Sequence, residues 1–164
     1  MTAVIIKQSG NYKVFCQRYL TAMKDYADKH YKGNNLLFKP GCGYDHMHAE
    51  MYAVWYYLNK GLNPGEHIKS MGVSKPICPD CQRVLNHLAI NYNKRWTTTE
   101  RSDHWKDPWR HLSKETVLAV PHWDPALAIP PAGEASFVGV WTTTRPTILR
   151  LIDLAAIDQI DLIE

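Results

Sequence analysis

His48-Ala49-Glu50 and Cys78-Pro79-Asp80-Cys81 are the residues whose types and spacing carry chemistry. An imidazole and two thiolates are donors that zinc accepts in a tetrahedral shell, and a site with three protein ligands leaves the fourth position to water. Two cysteines three apart at the start of a helix turn toward one point, and the positive end of that helix favours thiolate over thiol. Zinc acidifies its water so that hydroxide is available near neutral pH. A carboxylate beside that water can move protons. Glu50, two residues after the imidazole, is placed for this task without binding the metal.

Other readings of the same residues stand beside this one. His46 or Cys42 could add a fourth ligand to His48, Cys78 and Cys81, closing the shell so that zinc only stabilises the fold. A redox pair is a third use of a Cys-x-x-Cys spacing, but it leaves His48-Ala49-Glu50 without a purpose. The chain's four cysteines are too few and too unevenly spaced for a disulfide scaffold. Cys16 reads as a buried thiol.

The elements that must position these residues can be placed from the pattern. Val4-Ile5-Ile6 has strand character, and Tyr12 to Cys16 alternates after the Ser9-Gly10-Asn11 turn signal, which predicts a hairpin. Phe15, Tyr19, Met23 and Tyr26 also fall near helical spacing. A helix from about Leu20 to Tyr31 is expected, and the stretch before it stays open between strand and helix. Leu36-Leu37-Phe38 is a short apolar run. Residues 48–59 read as a buried helix ended by Gly61 and Pro64. A short strand is expected over 68–74, and a helix from Pro79 to about Tyr92. Residues 93–115 read as a long loop, Val117 to Val120 and Phe137 to Trp141 as strands, and about 153–160 as a short helix.

With 164 residues the chain is sized for one domain, and no linker divides it. It is 45% hydrophobic and 21% charged, which excludes intrinsic disorder. No apolar run is long enough for a membrane span, and the first residues lack the pattern of a secretory signal, so action in the cytoplasm is expected. Segment 151–164 carries four acidic residues and no base. Against a chain total of +3, residues 1–150 therefore carry +7. A basic body is compatible with a polyanionic partner. Trp96, Trp105 and Trp109 lie among Lys94, Arg95, Arg101, Lys106 and Arg110. Aromatic rings beside basic side chains are a common means of holding single-stranded nucleic acid. The bland alternative is that these tryptophans are core and the charges a solvated face.

His48-Ala49-Glu50 and Cys78-Pro79-Asp80-Cys81, in this order and at this interval, resemble the H-x-E and P-C-x-x-C signature of the zinc-dependent cytidine deaminase superfamily. The resemblance covers the two motifs and the helix–strand–helix order between them. It implies an α/β fold with a central mixed sheet of about five strands flanked by helices, the metal at the N-termini of two helices, and a single deaminase domain over residues 1–164. It implies Zn²⁺ held by His48, Cys78 and Cys81, with Glu50 as general acid/base. One departure is that Ile77 stands between Pro76 and Cys78, where the family places proline directly before the first cysteine.

Within the superfamily, His48-Ala49-Glu50-Met51 and the stretch Ser74 to Cys78 look most like bacterial toxin-type deaminases. That likeness implies hydrolytic conversion of cytosine to uracil in nucleic acid, with single-stranded DNA favoured. Free nucleosides or adenine are the alternative substrates, and a non-catalytic zinc-stabilised nucleic-acid-binding module is the alternative function. It also implies a monomeric catalytic part of a larger secreted or injected effector, and a cognate immunity protein as partner. Asn35, Trp96, Trp105 and Arg101 are the expected substrate contacts. Many such deaminases place a polar residue near the sugar or base, although Gly33-Asn34-Asn35 also reads as a turn.

Overall fold

The computed structural model describes residues 3–8, 11–16, 36–39, 44, 46–73, 75–124 and 126. The mixed α/β class expected from the sequence is the class observed. Strands β1 (Ala3–Gln8), β2 (Asn11–Cys16), β3 (Leu36–Lys39), β4 (Ser70–Val73) and β5 (Asn91–Tyr92) pair in the spatial order β3-β2-β1-β4-β5. β1 is antiparallel to both neighbours, with Ile5 opposite Val14 on one side and Gly72 on the other. β2–β3 and β4–β5 are parallel pairs. The hairpin reading of residues 4–16 therefore holds, and residues 13–16 are strand. The expected helix at 20–31, the strand at 137–141 and the helix at 153–160 lie outside the described residues, as do Asn35 and Cys42.

Helix α1 (Ala49–Leu58) packs on this sheet. Buried side chains run along nearly all of it, from Ala49 through Val54 and again at Tyr57 and Leu58. A helix apolar around most of its circumference has to be interior. Phe15 of β2 meets Tyr52 and Tyr56 of α1 edge-on, at ring centroid distances of 5.0 and 5.4 Å. The helix ends by donating Gly61 N–H to Leu58 O and Leu62 N–H to Tyr57 O, with Gly61 at φ 70°. This pair of bonds is the Schellman closure, whose left-handed position suits glycine.

Helix α2 (Pro64–His67) is a single turn, capped by the Asn63 side chain accepting from Gly65 N–H at 3.0 Å. A Cβ at Gly65 would collide with the Leu88 carbonyl oxygen. Helix α3 (Pro79–His87) stops short of the expected Tyr92. Ala89 N–H bonds Asn86 O, Ile90 N–H bonds Leu85 O, and Ala89 sits at φ 55°. It is the same closure with alanine in the glycine position, and the chain then enters β5.

The expected strand at Val117–Val120 is instead helix α4 (Lys114–Ala119) and its C-terminal boundary. Ser113 Oγ accepts from Thr116 N–H at 3.2 Å, supplying the N-cap, and Lys114, Glu115, Leu118 and Ala119 suit a helix. Among the described residues no strand pairs with this segment. The helix has no buried residue, and Leu118 is 88% exposed. Among the described residues, no helix is long and apolar enough to cross a membrane.

Two substitutions test these closures by thermal or denaturant unfolding. Ala89→Gly removes a left-handed alanine and should stabilise the fold by up to about 1 kcal/mol, the steric relief exceeding glycine's entropic cost. Gly65→Ala should destabilise it by about 1–3 kcal/mol, because the Leu88 carbonyl must move. An Ala89→Gly variant less stable than wild type would contradict the first.

Candidate metal centre

Both motifs sit at helix starts. His48 is the N-cap of α1 and Cys78 the N-cap of α3, each with extended backbone and neither using its side chain to cap the helix. Their side chains are thereby left for another partner. Cys81 follows within the first turn of α3, where Pro79 stands at a position whose N–H has no helical acceptor. The rigid body of α1 fixes His48, and β4 delivers the chain through Lys75, Pro76 and Ile77 to Cys78.

The donors converge. His48 Nδ1 lies 3.6 Å from Cys78 Sγ and 3.4 Å from Cys81 Sγ. All three ligand atoms fall within 4.8 Å of one another. A tetrahedral zinc with ordinary Zn–N and Zn–S bonds separates such donors by about 3.5 Å. The two imidazole–sulfur distances match that spacing, so the residues fit a metal ion of this type. His46 does not join them. It is exposed, has a positive φ of 63°, and its ring lies 4.8 Å from that of His104.

Glu50 is 2% exposed, and its Oε2 has no hydrogen-bond partner among the described residues. It lines a pocket of about 300 Å³ together with His48, Cys78, Lys75 and Arg101. Burial pushes its carboxyl up to about 7, against the opposing pull of the His48 charge. Cys78 is held down to about 5, first by the hydrogen bond from Cys81 and then by His48, over the opposing effect of burial. Burial pushes the Cys81 thiol well up. For His48, burial lowers the imidazole, but the hydrogen bond to Cys78 and the Glu50 charge outweigh it and leave it raised. The opposite directions at the two sulfurs favour the thiolate at Cys78 over that at Cys81, and metal binding requires both thiols to be deprotonated.

The loop from Trp96 to Trp105 is tied to the metal loop at three points. Ile77 N–H donates to Trp96 O at 2.9 Å and Ile77 O accepts from Thr98 N–H at 3.0 Å, making a bridge with Thr97. Arg101 donates from Nε and Nη2 to the two carboxylate oxygens of Asp80, at 3.1 and 2.9 Å. Trp105 Nε1–H donates to Cys81 Sγ at 3.2 Å. The first bond explains the departure at Ile77, since a proline there would have no N–H to give. Ile77 is also fully buried.

These bonds give two of the expected substrate contacts a further task. The Arg101 side chain is 57% exposed and lines the pocket, yet its fork is engaged by Asp80. Trp105 spends its N–H on a sulfur. Trp96 is half-buried, packs against the core and does not line the pocket. Trp109 is buried and stacks on Trp123 at 5.0 Å. The sequence reading missed Asp80, whose buried carboxylate sits between the two cysteines and also faces Arg83 Nη2 at 3.6 Å. Its position inside the Cys-x-x-Cys motif, followed by a basic residue three places on, was the available signal.

No family model, curated protein or solved structure matches the chain. The His48-Cys78-Cys81 group stands on its own geometry as one that could hold a metal ion.

Elemental analysis of the purified protein should find about one metal per chain, and Cys78→Ser or Cys81→Ser should reduce it to below about a tenth of that. His46→Ala should leave the content unchanged. Loss of metal in the His46 variant would place that imidazole in the shell.

Proposed function

We propose that the protein is a zinc-dependent nucleobase deaminase that converts cytosine to uracil in nucleic acid. The observation that carries this reading is Glu50: a buried carboxyl group with one oxygen that has no hydrogen-bond partner among the described residues, opening into the same pocket as His48 and Cys78. The motif resemblance to the cytidine deaminase superfamily supports the same conclusion. A closed structural site has no use for such a carboxylate.

His48, Cys78 and Cys81 would hold the metal. When bound, zinc would act as a Lewis acid and make water a nucleophile near neutral pH. In the overall reaction one water is consumed, the C4–N bond breaks, C4 gains a carbonyl oxygen and ammonia leaves. Glu50 moves the protons, taking one from the water and delivering protons to ring N3 and the departing amine. The low exposure of Glu50 keeps competing water away from that transfer. Lys75, Pro76, Thr98, Glu100 and Arg101 line the same pocket as Glu50.

The choice of a polymer over a free nucleoside rests on the +7 charge of residues 1–150 and on Lys75 at the pocket. Single-stranded DNA is the favoured form, because a duplex would first have to release its base at a cost of about a few kcal/mol. The toxin-like motifs suggest a monomeric effector module countered by an immunity protein.

A substrate panel tests the reading. Zinc-loaded protein is incubated with single-stranded DNA, duplex DNA, RNA, cytidine and adenosine, and amine-to-carbonyl conversion is followed by mass spectrometry. Conversion of cytosine in single-stranded DNA is expected, falling by at least about 100-fold in Glu50→Gln with metal content unchanged. Conversion of a free nucleoside alone would reassign the substrate. No conversion with metal bound would favour the non-catalytic module.

A further inference from the structure

We propose that Trp105 is a positioning residue for the metal: its indole N–H holds the Cys81 sulfur in place and draws charge from it. This inference rests on the reading of His48, Cys78 and Cys81 as ligands and goes beyond it, because nothing in the motifs involves position 105.

The geometry is specific. Trp105 Nε1 lies 3.2 Å from Cys81 Sγ, and Cys81 is fully buried. An indole nitrogen can only donate, so its natural counterpart is a sulfur carrying negative charge. A ligated thiolate is such a sulfur. A tryptophan placed to stack on bases has no need to turn its polar edge toward the metal loop.

The ring is held from several sides. Trp105 N–H closes a turn onto Ser102 O at 3.1 Å. Arg101, directly before that turn, forks onto Asp80, the residue directly before Cys81. The Arg83 guanidinium lies 5.8 Å from the Trp105 ring centroid and 5.1 Å from that of Trp123. A cation over the indole draws on its π electrons and makes the N–H a better donor. Outer partners of this kind orient ligands and tune the metal, and their loss commonly weakens binding 10- to 100-fold.

Two experiments decide the matter. In Trp105→Phe the ring persists without its N–H, and unfolding curves establish that the variant is folded. Chelator competition should show zinc bound about tenfold more weakly. In the cobalt(II)-loaded variant the sulfur-to-metal charge-transfer band should move to longer wavelength, while the tetrahedral d–d bands stay. Zinc affinity within about twofold of wild type, with an unmoved band, overturns the proposal.

The second experiment needs no substitution. In ¹⁵N-labelled wild-type protein loaded with ¹¹³Cd, a scalar coupling between the metal and the Trp105 indole proton is expected across the N–H···S bond. Its absence overturns the proposal even if Trp105→Phe fails to fold. Wild-type protein that binds no metal would instead overturn the metal centre itself, so the two failures are distinguishable.

Discussion

The structure depends on bringing two helix N-termini to one point. The first N–H groups of a helix have no intrahelical acceptor, and the aligned peptide dipoles leave that end positive. His48 and Cys78 occupy the cap positions of α1 and α3 without capping them. Two partly positive ends therefore face a cluster of sulfur and carboxyl groups. The arrangement favours a thiolate at Cys78 and tolerates a carboxylate at Glu50. It requires that neither helix drift, and the packing of α1 against β2 and the descent of the chain from β4 into Cys78 secure this.

The loop from Trp96 to Trp105 supplies the other restraint. Helices of nine or ten residues do not by themselves fix the direction of a side chain in their first turn. Here the metal loop is gripped at Ile77 by backbone bonds, at Asp80 by a guanidinium fork and at Cys81 by an indole N–H. These grips reach before the first cysteine, between the two, and onto the second. The same loop forms one wall of the pocket, so the residues that would bound a substrate are held by those that would hold a metal.

Much of this was legible in the sequence where local chemistry repeats itself. The apolar run Val4-Ile5-Ile6 pointed to β1 and the alternation from Tyr12 to Cys16 to β2, although helical spacing from Phe15 competed with the latter; apolar residues over 48–59 pointed to α1, and Gly61 marked its end. The end of α3 was hidden because Ala89 occupies a left-handed position that a glycine would have announced. Val117–Val120 looked like a strand because β-branched residues weigh toward one, whereas the Ser113 cap decided the conformation locally. The ligand set was visible because donor types and spacing are themselves the signal. The tasks of Trp105 and Arg101 were not. An aromatic residue beside basic ones has the same composition whether its ring faces a nucleotide or its N–H faces a sulfur, and only the fold separates the two.

Glu50 is the observation on which our proposal of a working rather than a purely structural centre rests. Burying a carboxylate costs several kcal/mol unless bonds or opposite charges compensate it. Among the described residues Oε2 has no hydrogen-bond partner, and the nearest compensation is the charge on His48. A fold selected only for stability would place an apolar side chain on this face of α1, beside Ala53 and Val54. The interior of α1 otherwise follows that rule, since its remaining buried residues are apolar or aromatic. The single exception lies two residues from a would-be ligand and opens into the pocket. Under our proposal, that unpartnered oxygen meets a group that arrives with the reaction and leaves with it.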